Sequence, residues 1–302
     1  MRVRIFFTSL FCIVLGTSRV AAQTSLIGVW KDGDEFSYAI EDNHSVSVGT
    51  AILNQSLKLE TNWHVKTVGV DGSAVIAVQI ERVRYKADQK GVPISFEELS
   101  FDSQSPAEAR NEREMSTLGA LNAFVGSQML VTINEKQELS KFELSEPLAA
   151  HLESNQITLE LAGVFGHTFT TNGMQRRITS WLIPSQSKPV SKGETWRREQ
   201  LIRYEDFFVC VDTYTMEGPT LWDGQTLIKI DVKTELMLPD NEKGKQVVKI
   251  AEQNGGGVVF FNERTGRITD ATLRLHIAQE RKYAPRSLNT MINAKLLANP
   301  KQ

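Results

Sequence analysis

Five histidines are the first candidates for chemistry: His44, His64, His151, His167 and His276. A helical zinc site places two of them four residues apart, and a thiolate site pairs cysteines as Cys-x-x-Cys. Neither spacing occurs. His64 and His276 sit in segments that read as strands, where a hydrogen-bonded structural imidazole is the default. Gly126-Ser127 lacks the second glycine and the strand-turn-helix context of a nucleophile elbow. Acidic residues gather in "KDGDE" (Asp32, Asp34, Glu35) and "FEELSFDS" (Glu97, Glu98, Asp102). Calcium loops alternate their ligands around a glycine, and neither stretch does so. Glu97 and Glu98 are strand neighbours facing opposite ways, so they cannot flank a glycosidic bond by themselves. Gly255-Gly256-Gly257 leads into "VVFF" rather than a helix N-terminus, so a hairpin loop or bulge is expected there, not a phosphate cradle. Asn43-His-Ser and Asn54-Gln-Ser match the short N-glycosylation acceptor pattern. Of the tryptophans, Trp30, Trp63 and Trp196 are expected to be buried, and Trp222, beside a turn, partly exposed. These patterns assign no catalytic, metal-binding or cofactor-binding residue and call for no cofactor. Ligand-binding residues are not fixed at this level.

The chain that must position any site opens with "MRVR", an apolar run from Ile5 to Leu15, and "GTSRVAAQ". A basic start, a short apolar run and small residues make a secretory signal peptide over residues 1–22, cleaved after Ala22. The run is shorter than the roughly 20 residues that span a bilayer, and no later stretch is apolar enough to cross one. Export removes Cys12 and leaves Cys210, inside "FFVCVDTY", as the sole cysteine. No internal disulfide can then form, and a packed core must hold the fold. Loss of Arg2, Arg4 and Arg19 moves the net charge from −2 to −5. No basic cluster suits nucleic acid.

The elements read as β structure written twice. "GVDGSAVIAVQI" (69–80) and "LWDGQTLIKIDV" (221–232) each carry an Asp-Gly turn signal followed by strict alternation. Ile76, Val78 and Ile80 share one strand face, as do Ile228, Ile230 and Val232, while Lys229, Asp231 and Lys233 face water. Such alternation marks antiparallel strands with one covered face. "LVTINEKQELSKFEL" (130–144) and "VVFFNERTGRITDATLRL" (258–275) form a second pair around Asn134-Glu135-Lys136 and Asn262-Glu263-Arg264. "KDGDEFSYAI" (31–40) and "SKGETWRREQ" (191–200) form a third. The first copy is longer between its landmarks. Its surplus, "SPAEARNEREMSTLGALNAFVG", reads as a helix over about 106–125 with a Ser105-to-Glu108 capping box. Met115, Leu118, Leu121 and Phe124 make its apolar stripe, and Gly126 its end. A connecting helix is expected over about 146–165 and a boundary near residue 185. The expected division is therefore a first β unit over 23–185, a second over 186–280, and a tail over 281–302 forming a short helix or loose segment. The fold class is mainly β with minor helix: two related antiparallel units of curved sheets or half-barrels.

A signal peptide, the strand–Asp-Gly–strand unit, "FDSQSP" before a helix, the Asn-Glu hairpin, and "PVSKGETW" opening a second β copy resemble exported families of unknown function from bacteria with unusual envelopes, planctomycetes especially. The resemblance implies an envelope location, periplasmic or at the cell surface, and carries over no functional residue. The architecture is also similar to periplasmic lipid and lipoprotein carriers. The leading expectation is a non-enzymatic exported protein binding an apolar small molecule or an envelope protein. The alternatives are a structural or adhesive wall component, and a hydrolase assembled from scattered residues such as His64, Glu97 and Asp102.

Overall fold

The structure, a computed structural model, describes residues 23–91, 98–105, 108, 110, 112–153, 171, 174–175, 178, 188–203, 207–237, 248–281 and 285–297. The expected signal peptide, the boundary near 185 and the second half of the connecting helix lie outside the described residues.

The described elements are β1 (Glu35–Val48), β2 (Ala51–Val68), β3 (Ala74–Lys90), β4 (Glu98–Asp102), α1 (Glu112–Asn122), β5 (Gln128–Ile133) and β6 (Leu139–Leu144). They continue with α2 (Glu146–Glu153), β7 (Thr195–Arg203), β8 (Phe207–Trp222), β9 (Gln225–Met237), β10 (Val248–Asn262), β11 (Arg267–Arg281) and β12 (Arg286–Leu297). All strands pair antiparallel in one open sheet, ordered β6-β5-β3-β2-β1-β12-β11-β10-β9-β8-β7, with β4 beside the far half of β3. Alternation decides the faces. Phe36, Tyr38 and Ile40 of β1, Leu57, Leu59 and Trp63 of β2, and Ile76, Val78 and Ile80 of β3 are buried on one side. The set continues through Ile228, Ile230 and Val232 of β9 and Ala294 of β12, and Leu121 of α1 and Phe124 of the turn after it join it. Each fully buried large apolar side chain contributes about 1.5–3 kcal/mol. Cys210 is buried in β8 within a second, smaller cluster around Phe208 and Leu236.

The two units carry the same local structure at matching places. Gly33 N–H donates to Val65 O and Val65 N–H to Asp34 O; Gly193 N–H donates to Met216 O and Met216 N–H to Glu194 O. The register then slips at Val65 in the first unit and at Met216 in the second. Three residues past each glycine an aromatic stacks on its cross-strand partner: Phe36 on Trp63 at 5.7 Å and Trp196 on Tyr214 at 5.4 Å. The Asn turns repeat too. The Asn134 Oδ1 accepts from the backbone of Lys136 and Glu138, and that of Asn262 from Arg264 and Thr265. β1, β2, β3, β5 and β6 thus correspond to β7, β8, β9, β10 and β11, and both meanders run the same way across the sheet.

A segment before β1 laces the units together. Thr24 exchanges two backbone hydrogen bonds with Val190, and Trp30 Nε1 donates to Gln137 Oε1 at 2.7 Å in the β5–β6 turn. A Cβ on Gly266, in the matching β10–β11 turn, would sit 2.1 Å from Val29 N. Only glycine admits so close a passage.

Four expectations change. The inserted helix begins at Glu112, since Glu108 and Arg110 are not helical. Its cap is the Glu114 carboxylate, which turns back onto the Arg110 N–H at 2.8 Å, in place of the Ser105-to-Glu108 box. Met115 is 60 % exposed, because the covered face of α1 runs through Glu114, Thr117 and Leu121. Residues 286–297, expected as a short helix or loose tail, form β12, a central strand between β1 and β11. Gly255-Gly256-Gly257 is neither loop nor bulge but lies within β10, paired along its length with β11 and from Gly256 on with β9 as well. A Cβ there would strike neighbouring backbone: 1.9 Å from Thr272 O at Gly257, and 2.4 Å from Val232 O at Gly256. The three glycines let β9, β10 and β11 approach where side chains would hold them apart.

Gly257→Ala is therefore expected to lower stability by about 1–3 kcal/mol, the usual cost of overpacking. Gly119→Ala, on an exposed helical position with open space around it, is expected to raise it by about 0.5–1 kcal/mol. Urea unfolding followed by circular dichroism measures both.

Candidate functional site

The polar face of the sheet carries a cleft of about 930 Å³, bordered by residues from β4, β3, β2, β1, β12, β11 and β10. At about 4.8 Å between strands, seven strands reach about 29 Å across. Two rows of side chains face it. In one, Asp88, Asn54, Ser45 and Asn289 stand opposite one another on β3, β2, β1 and β12. That row ends at Glu98 on β4 and at His276 and Asn254 on β11 and β10. In the next row Lys86, Ser56, Asn43, Met291 and Arg274 follow, up to the bare backbone of Gly256.

Period two explains why these residues gather. Between the rows lie Gly255 and the residues His44, Gln55, Ala87, Thr290 and Leu275; their backbone floors the cleft, and the side chains of the latter five point to the packed face. There the His44 ring meets Asp42 Oδ1 at 2.7 Å and Thr290 Oγ1 at 3.0 Å, and Gln55 Nε2 donates to Tyr85 Oη at 2.9 Å. Burial drives the Tyr85 phenol up to about 12, with the Gln55 bond opposing, so it stays a neutral partner.

Within the cleft Asn54 Nδ2 donates to Asp88 Oδ1 at 3.1 Å, and His276 Nδ1 lies 2.6 Å from Asn289 Oδ1. Asn43 Nδ2 donates to Glu41 Oε1 at 3.1 Å. Beyond it, Arg82 grips Asp102 through two bonds, Nε to Oδ1 at 3.0 Å and Nη2 to Oδ2 at 2.6 Å. Arg84 pairs with Glu60. The Arg82 hydrogen bonds, then the Gln104 N–H, hold the Asp102 carboxyl at about 2.

Of the scattered residues considered for hydrolysis, the two described ones, His64 and Asp102, do not meet. Asp102 shares its row with Arg84 and Lys58, and His64 lies about 20 Å further along β2 at 3.3 Å per residue. His64 instead contacts Glu35 at 3.1 Å. Glu97 and His167 lie outside the described residues. Among the described residues, no three His, Cys, Asp or Glu side chains are placed to hold a metal ion, and no helix is long and apolar enough to cross a membrane. Trp63 and Trp196 are buried, Trp30 is half-buried, and Trp222 is 42 % exposed and stacks on Phe260. Among the described residues, the packed side leaves about 30 Å³ near Leu26, Trp30 and Phe36, room for a water or two rather than an acyl chain.

No family model matches the sequence, and no curated protein matches it. Among solved structures the fold is similar to one titled for lipid–protein interactions in lipovitellin, with a TM-score of 0.50 and 10 % identity. That match covers 89 % of this chain and 26 % of lipovitellin, so the chain spans about a quarter of that protein's length. DynF from the dynemicin biosynthesis pathway of Micromonospora chersina aligns over 94 % of this chain and 89 % of its own, at 7 % identity. Its TM-score of 0.22 is too low to inform the fold. The likeness to lipovitellin is one of fold: a broad, open antiparallel sheet.

The Arg82–Asp102 pair predicts an acid response. The carboxyl is lowered in the folded chain relative to an unfolded value near 3.9, so its contribution is complete above about pH 4 and fades as pH falls toward 2. Between pH 5 and 2, the urea midpoint of the native chain is expected to drop more steeply than that of Asp102→Asn. Parallel slopes would show that the pair does not form.

Proposed function

We propose that this chain is a non-enzymatic exported protein that works by binding, and that its ligand lies in the cleft on the polar face. The single observation carrying this is the cleft itself: its volume falls in the range of about 300–1,000 Å³ usual for ligand sites. The ligand would be an apolar or amphiphilic molecule, or a segment of another envelope component. An apolar portion would rest on Met291 and the uncovered glycine backbone of β10. The likeness in fold to lipovitellin, a structure titled for its lipid–protein interactions, makes a lipid-like ligand the natural first candidate. Export to the periplasm or cell surface, and kinship with planctomycete-type envelope proteins, belong to the same reading and rest on the N-terminal residues and the doubled β pattern.

A structural or adhesive role is the second reading. It is favoured by β6 and β7, which end the sheet and offer backbone groups for pairing with another chain.

Native mass spectrometry of chain purified from its source without detergent separates the two. The binding reading expects a mass adduct that organic extraction removes and that Met291→Asp abolishes. Adduct-free protein that sediments with the envelope would favour the structural reading instead.

A further inference from the structure

The two Asn-x-Ser triplets acquire a meaning in the fold that neither has alone. β1 and β2 pair with Asn43 opposite Ser56, His44 opposite Gln55, and Ser45 opposite Asn54. The middle residues turn to the packed face, so two amides and two hydroxyls form a square on the cleft floor. The pattern extends outward. Asn289 lies opposite Ser45 on β12, and Asn254 opposite His276 on β10.

The square is uncharged. Carboxylates stand at its β3–β4 side, Asp88 and Glu98, with cations in the other row at Lys86 and Arg274. A polyanion would call for converging Arg and Lys or a nest of spare backbone N–H groups. In these strands the backbone groups pair with neighbouring strands, and the central side chains carry no charge. Amides and hydroxyls each donate and accept at once. Their natural complement is a ligand whose groups do the same at close spacing and without charge: a row of hydroxyls on a carbon frame. Met291, the apolar side chain that faces this part of the cleft among the described residues, offers a soft surface to the C–H edges of such a frame.

We propose that the cleft recognises a neutral, hydroxyl-rich glycosyl group, held across β2, β1 and β12 by Asn43, Asn54 and Asn289 with Ser45 and Ser56. This deepens the reading of the cleft as the ligand site and rests on it. Two sources supply the same chemistry: a free oligosaccharide and the head of a glycolipid.

The full exported chain is titrated with a panel of neutral gluco-, galacto-, manno- and N-acetylhexosamine oligosaccharides. In parallel it is floated with phosphatidylcholine vesicles, plain or doped with a monohexosyl diacylglycerol. The expected result is binding in at least one sugar arm. Asn54→Ala and Asn289→Ala are each expected to weaken it about two- to tenfold, the worth of one neutral hydrogen bond. Ser37→Ala, on the same face outside the cleft, is expected to leave it unchanged. Asn43→Ala serves as a third cleft variant, and superimposable thermal melts show that each variant folds. Binding in the free-sugar arm alone assigns an oligosaccharide; binding to doped vesicles alone assigns a glycolipid head. Sugar binding untouched by all three asparagine variants overturns the proposal. So does binding in neither arm. If the purified chain then carries a sugar-free ligand that Met291→Asp removes, the cleft stands and only the glycosyl assignment falls. If it carries none, both readings fall.

Discussion

The ladder between β1 and β12 is the constraint on which the rest depends. It runs from Ser37 opposite Leu297 to Val48 opposite Arg286 and joins the two ends of the chain in the middle of the sheet. Without it each five-stranded meander would end in a long edge of unpaired N–H and C=O groups. With it the meanders become one surface. Register is fixed by the packed face: Ile40 and Ala294 lie opposite each other and point inward, and a slip of one residue would turn the inward side chains of β12 outward and its outward ones inward. The pairing closes across almost the whole described chain, so loop-closure entropy opposes it until the local hairpins have formed.

The same ladder creates the cleft. Neither unit contains it: the first supplies Asn43, Ser45, Asn54 and Ser56, and the second supplies His276, Asn289 and the glycines of β10. The packed face holds the fold through its aromatic stacks and aliphatic rows. The opposite face is relieved of that work, and its polar side chains can be chosen for what they touch. On the packed side the bonds of His44 to Thr290 and of Gln55 to Tyr85 lie beneath the cleft floor, so the floor strands are tied from below by hydrogen bonds as well as by apolar contact.

The β architecture was legible because antiparallel strands and tight turns write themselves locally. Asp71-Gly72 and Asp223-Gly224 fall in the turns of the β2–β3 and β8–β9 hairpins, as their spacing implied. The alternating residues after them face inward as expected. Boundaries resting on one side chain were less legible. The start of α1 is decided by a Glu114–Arg110 bond that competes with the Ser105 box, and Met115 satisfies helical spacing yet lies on the open side. The glycines of β10 look like a loop until the closeness of β9 and β11 is known. The candidate site was least legible of all, since Asn43-His-Ser and Asn54-Gln-Ser appear in the sequence only as short tripeptide matches.

The sequence by itself determined the class of fold, the doubling of the β pattern and the inward face of most strands, because period-two burial and turn conformations act over a few residues. Tertiary structure alone decided that residues 286–297 would be a strand, that the two units would share one sheet, and that the asparagines would stand side by side. The segment "SLNTMINAKLL" satisfies both helical and strand spacing, and only the open edges of β1 and β11 on either side select between them. Those edges lie far away along the chain, and no local preference can encode the register in which they meet.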